Sequence, residues 1–284
     1  MSAQRFDLLR MDAEAVQLEK QHVHSVYEKT APYLSDLQCR AWPRVRQFLL
    51  QQEPGSLVAD IGCGTGRYLQ VNSGVFSVGC DVCRPLVDRA RKRGSEVLLC
   101  DNLRLPFRDG IFSAVISVGV IHHFSTSERR GCAVREMART LAPGGLMLIY
   151  VWAQEQRHRR FDKQDVFVPW NQALCSGGPG GPGLGSCAAA PAGREGLLGR
   201  ALRSWRLDGA GAEPGRGRAE APAARREGAT ELMRYYHVFK EGELARLVAD
   251  NVPELHIQST FLDHGNWGVL ARKQSRPELP PCAV

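Results

Sequence analysis

Leu57-Val58-Ala59-Asp60-Ile61-Gly62-Cys63-Gly64-Thr65-Gly66 decides how this chain is read. The first five residues form a short apolar run, the pattern of a strand buried on both faces, and a glycine cluster follows at once. Glycines at such a place let backbone N–H groups approach a ligand closely. A helix is expected to open behind them, with an N-terminus that favours negative charge. The spacing is G-x-G-x-G, whereas a dinucleotide loop needs G-x-G-x-x-G, and Arg67 stands where its last glycine would be. Asp60 precedes the first glycine by two positions. A carboxylate there repels a pyrophosphate and attracts an ammonium. S-adenosylmethionine carries an ammonium and a sulfonium, so the chemistry prefers it to a nicotinamide dinucleotide.

Outward from this loop the same rhythm repeats. Val75–Cys80, Glu96–Cys100, Phe112–Ile121 and Leu146–Trp152 are further apolar runs, with helical segments at Pro85–Arg93 and Thr126–Leu141 between them. Doubly apolar strands alternating with helices predict a parallel sheet covered on both sides. Upstream, residues 14–29 read as an amphipathic helix with Val16, Val23 and Tyr27 on one face. Residues 36–52 read as a second helix, ended by Pro54-Gly55. Pro143-Gly144-Gly145 reads as the turn before the fifth strand. Glu241–Asn251 reads as a helix. Leu255–Leu262 and Trp267–Arg272 read as an antiparallel hairpin turning at Asp263-His264-Gly265-Asn266. The expected fold is therefore α/β: a seven-stranded, Rossmann-like sheet with helices on both faces.

Composition bounds the rest. The chain has 284 residues, 43% hydrophobic and 24% charged, which excludes a mainly disordered protein. No apolar stretch approaches the roughly 18 residues of a membrane helix. Residues 1–10 lack the apolar core of a secretory signal. Nine scattered cysteines, an odd number, favour reduced thiols in the cytoplasm or nucleus over a disulfide framework. Cys80 and Cys83 make one isolated C-x-x-C, half of a zinc site, so no metal is assigned. Residues 173–230 are rich in Gly, Pro, Ala and Arg and cannot bury enough apolar surface to order themselves. They read as a disordered insertion that splits one domain into residues 12–172 and 231–273, with a flexible tail over 274–284. The net charge of +7, of which +4 lies between Gln154 and Thr230, favours an anionic partner without identifying it.

Two more acids join Asp60. Asp81 ends the second strand, where a carboxylate accepts from ribose hydroxyls. Asp101-Asn102 ends the third, where a carboxylate accepts from an adenine amino group. Acids at three successive strand ends line one crevice. This pattern, over residues 55–153, resembles the class I S-adenosylmethionine-dependent methyltransferases. The cofactor set expected from it is Asp60, Gly62, Cys63, Gly64, Gly66, Asp81, Asp101, Asn102 and Val118.

Enzymes that methylate exocyclic base amines commonly place an Asn-Pro-Pro-Tyr type tetrapeptide after the fourth strand. Here Val118-Gly119-Val120-Ile121-His122-His123-Phe124 stands in that place. Two histidines suit an anionic or oxygen-bearing acceptor, or a base near neutral pH. Ile121 to Phe124, Glu128-Arg129-Arg130, Ile149 to Ala153, Leu18-Glu19-Lys20, Trp42-Pro43-Arg44, Arg234 to Phe239 and Gly265-Asn266-Trp267 together resemble the tRNA methyltransferase 9 family. That resemblance implies methylation of the carboxylate of 5-carboxymethyluridine at the tRNA wobble position. It also implies tRNA as partner and a small zinc-binding activator protein beside it. Donors around the acceptor carboxylate are then expected from His122, His123, Arg234, Tyr236 and His237, with Asn266 and Trp267 near the base. Two other readings stay open on sequence alone: a small-molecule methyltransferase, and a cofactor-binding regulatory protein with little turnover.

Overall fold

The computed structural model describes residues 12–34, 41–156, 159–170 and 232–275. The insertion read at 173–230 lies outside the described residues, as do residues 276–284. The strands in chain order are β1 (Leu57–Ile61), β2 (Phe76–Asp81), β3 (Glu96–Leu99), β4 (Phe112–Val118), β5 (Leu141–Trp152), β6 (Glu155–Gln156), β7 (Arg159–Arg160), β8 (Asp165–Pro169), β9 (Met233–His237), β10 (Leu255–Asp263) and β11 (Asn266–Lys273). Seven of them form one sheet in the order β10-β11-β5-β4-β1-β2-β3. The first five pair in parallel, while β11 runs antiparallel to both β5 and β10. The sheet order reverses between β1 and β4, and ligands of open α/β sheets bind at such a reversal.

Period-two alternation builds both faces. Ala114, Ile116, Leu148 and Tyr150 pack toward Val45, Phe48 and Leu49 of helix α2 (Pro43–Leu50). Val115, Met147, Ile149 and Val151 pack on the other side, against helices α4 (Ser127–Thr140) and α5 (Glu243–Asn251). Helix α3 (Arg84–Lys92) covers β2 and β3. Residues 12–30 form helix α1, interrupted by a π turn at Lys20–His24. Cys80 lies in the core with β4 and β5, whereas Cys83 packs with Ala31 and Leu86, so the two sulfurs serve different clusters.

Three local expectations are corrected, and one strand pair is added. No helix follows the glycine loop: residues 64–70 are successive turns, closed by Gly66 N–H to Cys63 O at 2.9 Å and Leu69 N–H to Gly66 O at 3.2 Å. Gly62, Gly64 and Gly66 all have positive φ (81°, 55° and 81°), which right-handed helix cannot contain. Strand β4 stops at Val118 because Gly119, at φ 77°, turns the chain into a 3₁₀ turn at Ile121–His123. Pro143-Gly144-Gly145 lies inside β5 as a bulge, since Phe112 pairs with Leu141 and Ala114 with Leu146. The antiparallel pair β8–β9, which carries Arg234 and Tyr236, was not anticipated at all. The closing hairpin stands as read, with His264 and Gly265 both at positive φ in its two-residue turn.

Candidate functional site

A cavity of about 260 Å³ opens along the sheet reversal. Its donor end is built by the ends of β1, β2 and β3. Asp60 is 3% exposed, and its Oδ2 has no hydrogen-bond partner among the described residues. Burial, and then the charge of Asp81, push its carboxyl up to about 8 against the pull of Arg67. A buried carboxylate left in this state is destabilising unless a cation meets it. Gly62 is required beside it: a Cβ there would lie 2.3 Å from Val120 Cγ2. Asp81 clamps the loop, its Oδ2 accepting from Gly64 N–H (2.9 Å) and its Oδ1 from Cys83 N–H (2.8 Å). Burial nonetheless holds its carboxyl above the ordinary carboxylate range.

Asp60, Gly62, Cys63, Gly64, Asp81, Asp101, Asn102 and Val118 all line the cavity. Asp101 is exposed, and one of its oxygens caps the Leu103 N–H at 2.9 Å. Gly66 is not a lining residue. It lets the loop approach α3, because a Cβ there would lie 3.2 Å from Ala90 Cβ.

The acceptor end is assembled from four distant segments. His122 and His123 are buried and hold opposite tautomers. Trp152 N–H donates to His122 Nδ1 (3.0 Å), leaving the ring proton on Nε2. His123 Nδ1–H donates to Tyr235 O (3.0 Å), and Tyr27 O–H donates to His123 Nε2 (3.0 Å). Burial first, then neighbouring His123 and Arg234, hold His122 well below its ordinary range; burial and Arg234 bring His123 down to about 3. Both rings are uncharged at neutral pH, and neither is a strong base. The Arg234 guanidinium lies 4.8 Å over the Tyr27 ring and 5.5 Å over the Tyr236 ring. Tyr236 packs in turn on Trp152, with ring centroids 4.4 Å apart. A cation between aromatic faces is the arrangement that stabilises buried guanidinium.

His237 is separated from this group and does not line the cavity. Its Nδ1 faces Asp165 at 2.9 Å and its Nε2 faces Glu243 at 2.7 Å, while Gln164 donates to Glu243 and Tyr235 O–H to Asp165. Burial raises Glu243, but the bonds from His237, Lys240 N–H and Gln164 outweigh it and bring it to about 2. Asn266 does line the cavity, but its side chain donates to Asp263 O and His264 O and so holds the hairpin turn. Trp267 Nε1–H donates to Glu155 (2.9 Å), away from the lining. Sequence reading missed Glu19 and Tyr27 of α1 and Trp152 of β5 as lining residues. The amphipathic spacing of α1 was the available signal, but it does not say what the apolar face meets.

Residues 59–149 match the model of a methyltransferase domain family. A Schizosaccharomyces pombe protein described as a tRNA (carboxymethyluridine(34)-5-O)-methyltransferase is 34% identical over 267 residues, which cover 91% of this chain and 99% of that protein. The chain belongs to the tRNA methyltransferase 9 family. This is a family of class I S-adenosylmethionine-dependent methyltransferases, as the expected sheet requires. A mouse relative described as probable tRNA methyltransferase 9B is 72% identical over 166 residues, and that match covers 58% of this chain but 37% of the relative. An S-adenosylmethionine-dependent methyltransferase of Methanosarcina mazei shares the fold at a TM-score of 0.50 and 16% identity, covering 84% of this chain and all of that one. The donor end fits the family's cofactor on this chain's own terms, since Asp60, whose Oδ2 has no partner among the described residues, lines the cavity.

Proposed function

We propose that this chain transfers a methyl group from S-adenosylmethionine to the carboxylate of 5-carboxymethyluridine at the wobble position of tRNA, giving the methyl ester. The observation that carries this reading is the Arg234 guanidinium in the wall of the acceptor cavity, whose charge is felt by both neighbouring histidines. A positive, aromatic-walled cavity favours an anionic acceptor over an amine. A carboxylate is already ionised, so it needs no base, and two neutral histidines of low basicity are no handicap. The bound cofactor supplies an electrophilic methyl group on sulfonium. Asp60 holds its ammonium, Asp81 and Asp101 face its nucleoside, and Arg234 and Tyr236 orient the acceptor while Trp152 and Tyr27 exclude water.

Exposed Arg84, Arg91 and Lys92 on α3, whose first turn lines the cavity at Leu86, support contact with tRNA phosphates. Leu98 and Leu99 are 41% and 48% exposed on the edge strand β3, which supports a small zinc-binding activator protein pairing there. The test is recombinant protein, with and without such an activator, incubated with cofactor and tRNA that bears 5-carboxymethyluridine. Nucleoside mass spectrometry should find the methyl ester; turnover of free metabolites without salt-dependent tRNA binding would favour a small-molecule enzyme instead.

A further inference from the structure

Helix α1 has a defect where a regular helix would put the wrong residue into the cavity. Ser25 N–H bonds to Lys20 O, five residues back, so one extra residue is absorbed at Lys20–His24. In an unbroken α-helix Glu19 and Tyr27, eight residues apart, would point about 80° away from each other. With one residue absorbed by the π turn they differ by only about 20°. Both therefore face the cavity.

Each has a defined task. The Glu19 carboxylate is 2% exposed and accepts from Ser125 N–H (2.8 Å) and from Arg129 Nε and NH2 (3.0 and 2.8 Å), fixing α1 to the start of α4. His22, within the π turn, contacts Met233 O through Nδ1 at 3.1 Å, next to Arg234 on β9. Tyr27 then presents its ring to the Arg234 guanidinium and its hydroxyl to His123.

We propose that Tyr27 is a positioning residue of the acceptor site: it sets the place of Arg234 and anchors the ring of His123 at Nε2, and the π turn and the Glu19–Arg129 pair exist to deliver it there. The inference rests on the carboxylate-acceptor reading above. Because the acceptor's charge is lost as the ester forms, pairing with Arg234 is strongest before transfer. Misplacing the guanidinium should therefore weaken acceptor binding more than turnover.

The test compares the full chain with Tyr27→Phe, Tyr27→Leu and Glu19→Gln. Calorimetry should give S-adenosylmethionine affinities within about twofold of each other. In ester formation on tRNA bearing 5-carboxymethyluridine, Tyr27→Leu should raise KM about tenfold with kcat within about threefold. Tyr27→Phe keeps the ring and loses only the hydroxyl, so it should raise KM about threefold. An unchanged acceptor KM in Tyr27→Leu, or a loss shared equally by the cofactor, overturns the proposal. Crystal structures of the same proteins separate it from the substrate assignment. In Tyr27→Leu the Arg234 guanidinium should leave its place while the glycine loop stays. A guanidinium that does not move overturns the inference whatever the substrate, and an absence of ester from the unaltered chain counts against the substrate alone.

Discussion

The two ends of the cavity hold opposite charges and stabilise them differently. At the donor end Asp60 is buried and Asp81 partly buried, and Asp60 keeps an oxygen that nothing among the described residues satisfies. At the acceptor end Arg234 is cushioned by two aromatic rings and flanked by histidines held neutral. The first end is costly until a cation arrives; the second is tolerable alone but attractive to an anion. Transfer of a methyl group from a sulfonium to a carboxylate removes one charge from each partner. Under the proposed reaction the acceptor end therefore holds its reactant more tightly than its product, whereas the ammonium assigned to Asp60 is present before and after transfer.

The donor half of this contrast gives the largest effect. Asp60→Asn should weaken S-adenosylmethionine binding about 100-fold or more at pH 7.5, the consequence of removing one member of a buried charge pair. It should also raise the melting temperature of the cofactor-free protein at that pH, because the unfolded chain no longer gains by ionising this side chain. Calorimetry and thermal unfolding on the same sample read both; a weaker binder that is also less stable would mean Asp60 is structural. The acceptor half comes next. Arg234→Gln should raise the tRNA KM about 30-fold and leave cofactor affinity within about twofold, as for loss of a charged hydrogen bond to a carboxylate. Equal losses at both ends would erase the distinction between them.

Protons offer a smaller effect that sharpens the comparison. Asp60 must be ionised to hold an ammonium, yet in the free protein it titrates at about 8. Cofactor binding below that pH should release one proton, and affinity should rise about tenfold from pH 6 to pH 7, flattening above 8. The free protein should lose stability as pH rises from about 4 to 8, since the unfolded chain is ionised there and the folded one is not. The histidines run the other way. His123 is held down near 3, so the unfolded chain binds its proton first, and stability is lost as pH falls from about 6.5 toward 3. Calorimetry in buffers of different ionisation enthalpy and pH-dependent unfolding separate the two slopes. The Asp60→Asn protein should keep only the acid-side loss.

The donor end was legible in the sequence because it is local. Asp60 and the glycines lie in one run of seven residues, and Asp81 and Asp101 each sit where a strand must end. Even there the expected helix after Gly66 failed: the chain continues in turns to residue 70. The acceptor end was only partly legible. His122, His123, Arg234 and Tyr236 were singled out by type, but Tyr27 meets His123 across 96 positions and enters through a π turn with no sequence signature. The pair β8–β9 joins Asp165–Pro169 to Met233–His237, and no local periodicity reports a pairing over such a separation.

His237 tests whether burial and charge alone suffice to mark a functional group. The sequence places it beside Arg234 and Tyr236, and it is as buried as His122. The difference is satisfaction: both its nitrogens face carboxylates, and those carboxylates are bonded by Gln164, Lys240 N–H and Tyr235 in turn. A closed network of this kind fastens β8, β9 and the start of α5 together without offering anything to a ligand. His237→Asn should therefore lower stability by about 1–3 kcal/mol while changing neither KM nor kcat per folded molecule. The loss should be greatest at neutral pH and shrink as pH falls below about 4.5. Glu243 is held near 2 in the folded chain, so the stabilisation it draws from His237 is present above its unfolded range and disappears in acid. Urea unfolding at pH 7 and pH 3, set beside steady-state kinetics, measures both parts. A raised tRNA KM in a normally stable variant would move His237 into the acceptor site and show that a satisfied group can still be a functional one.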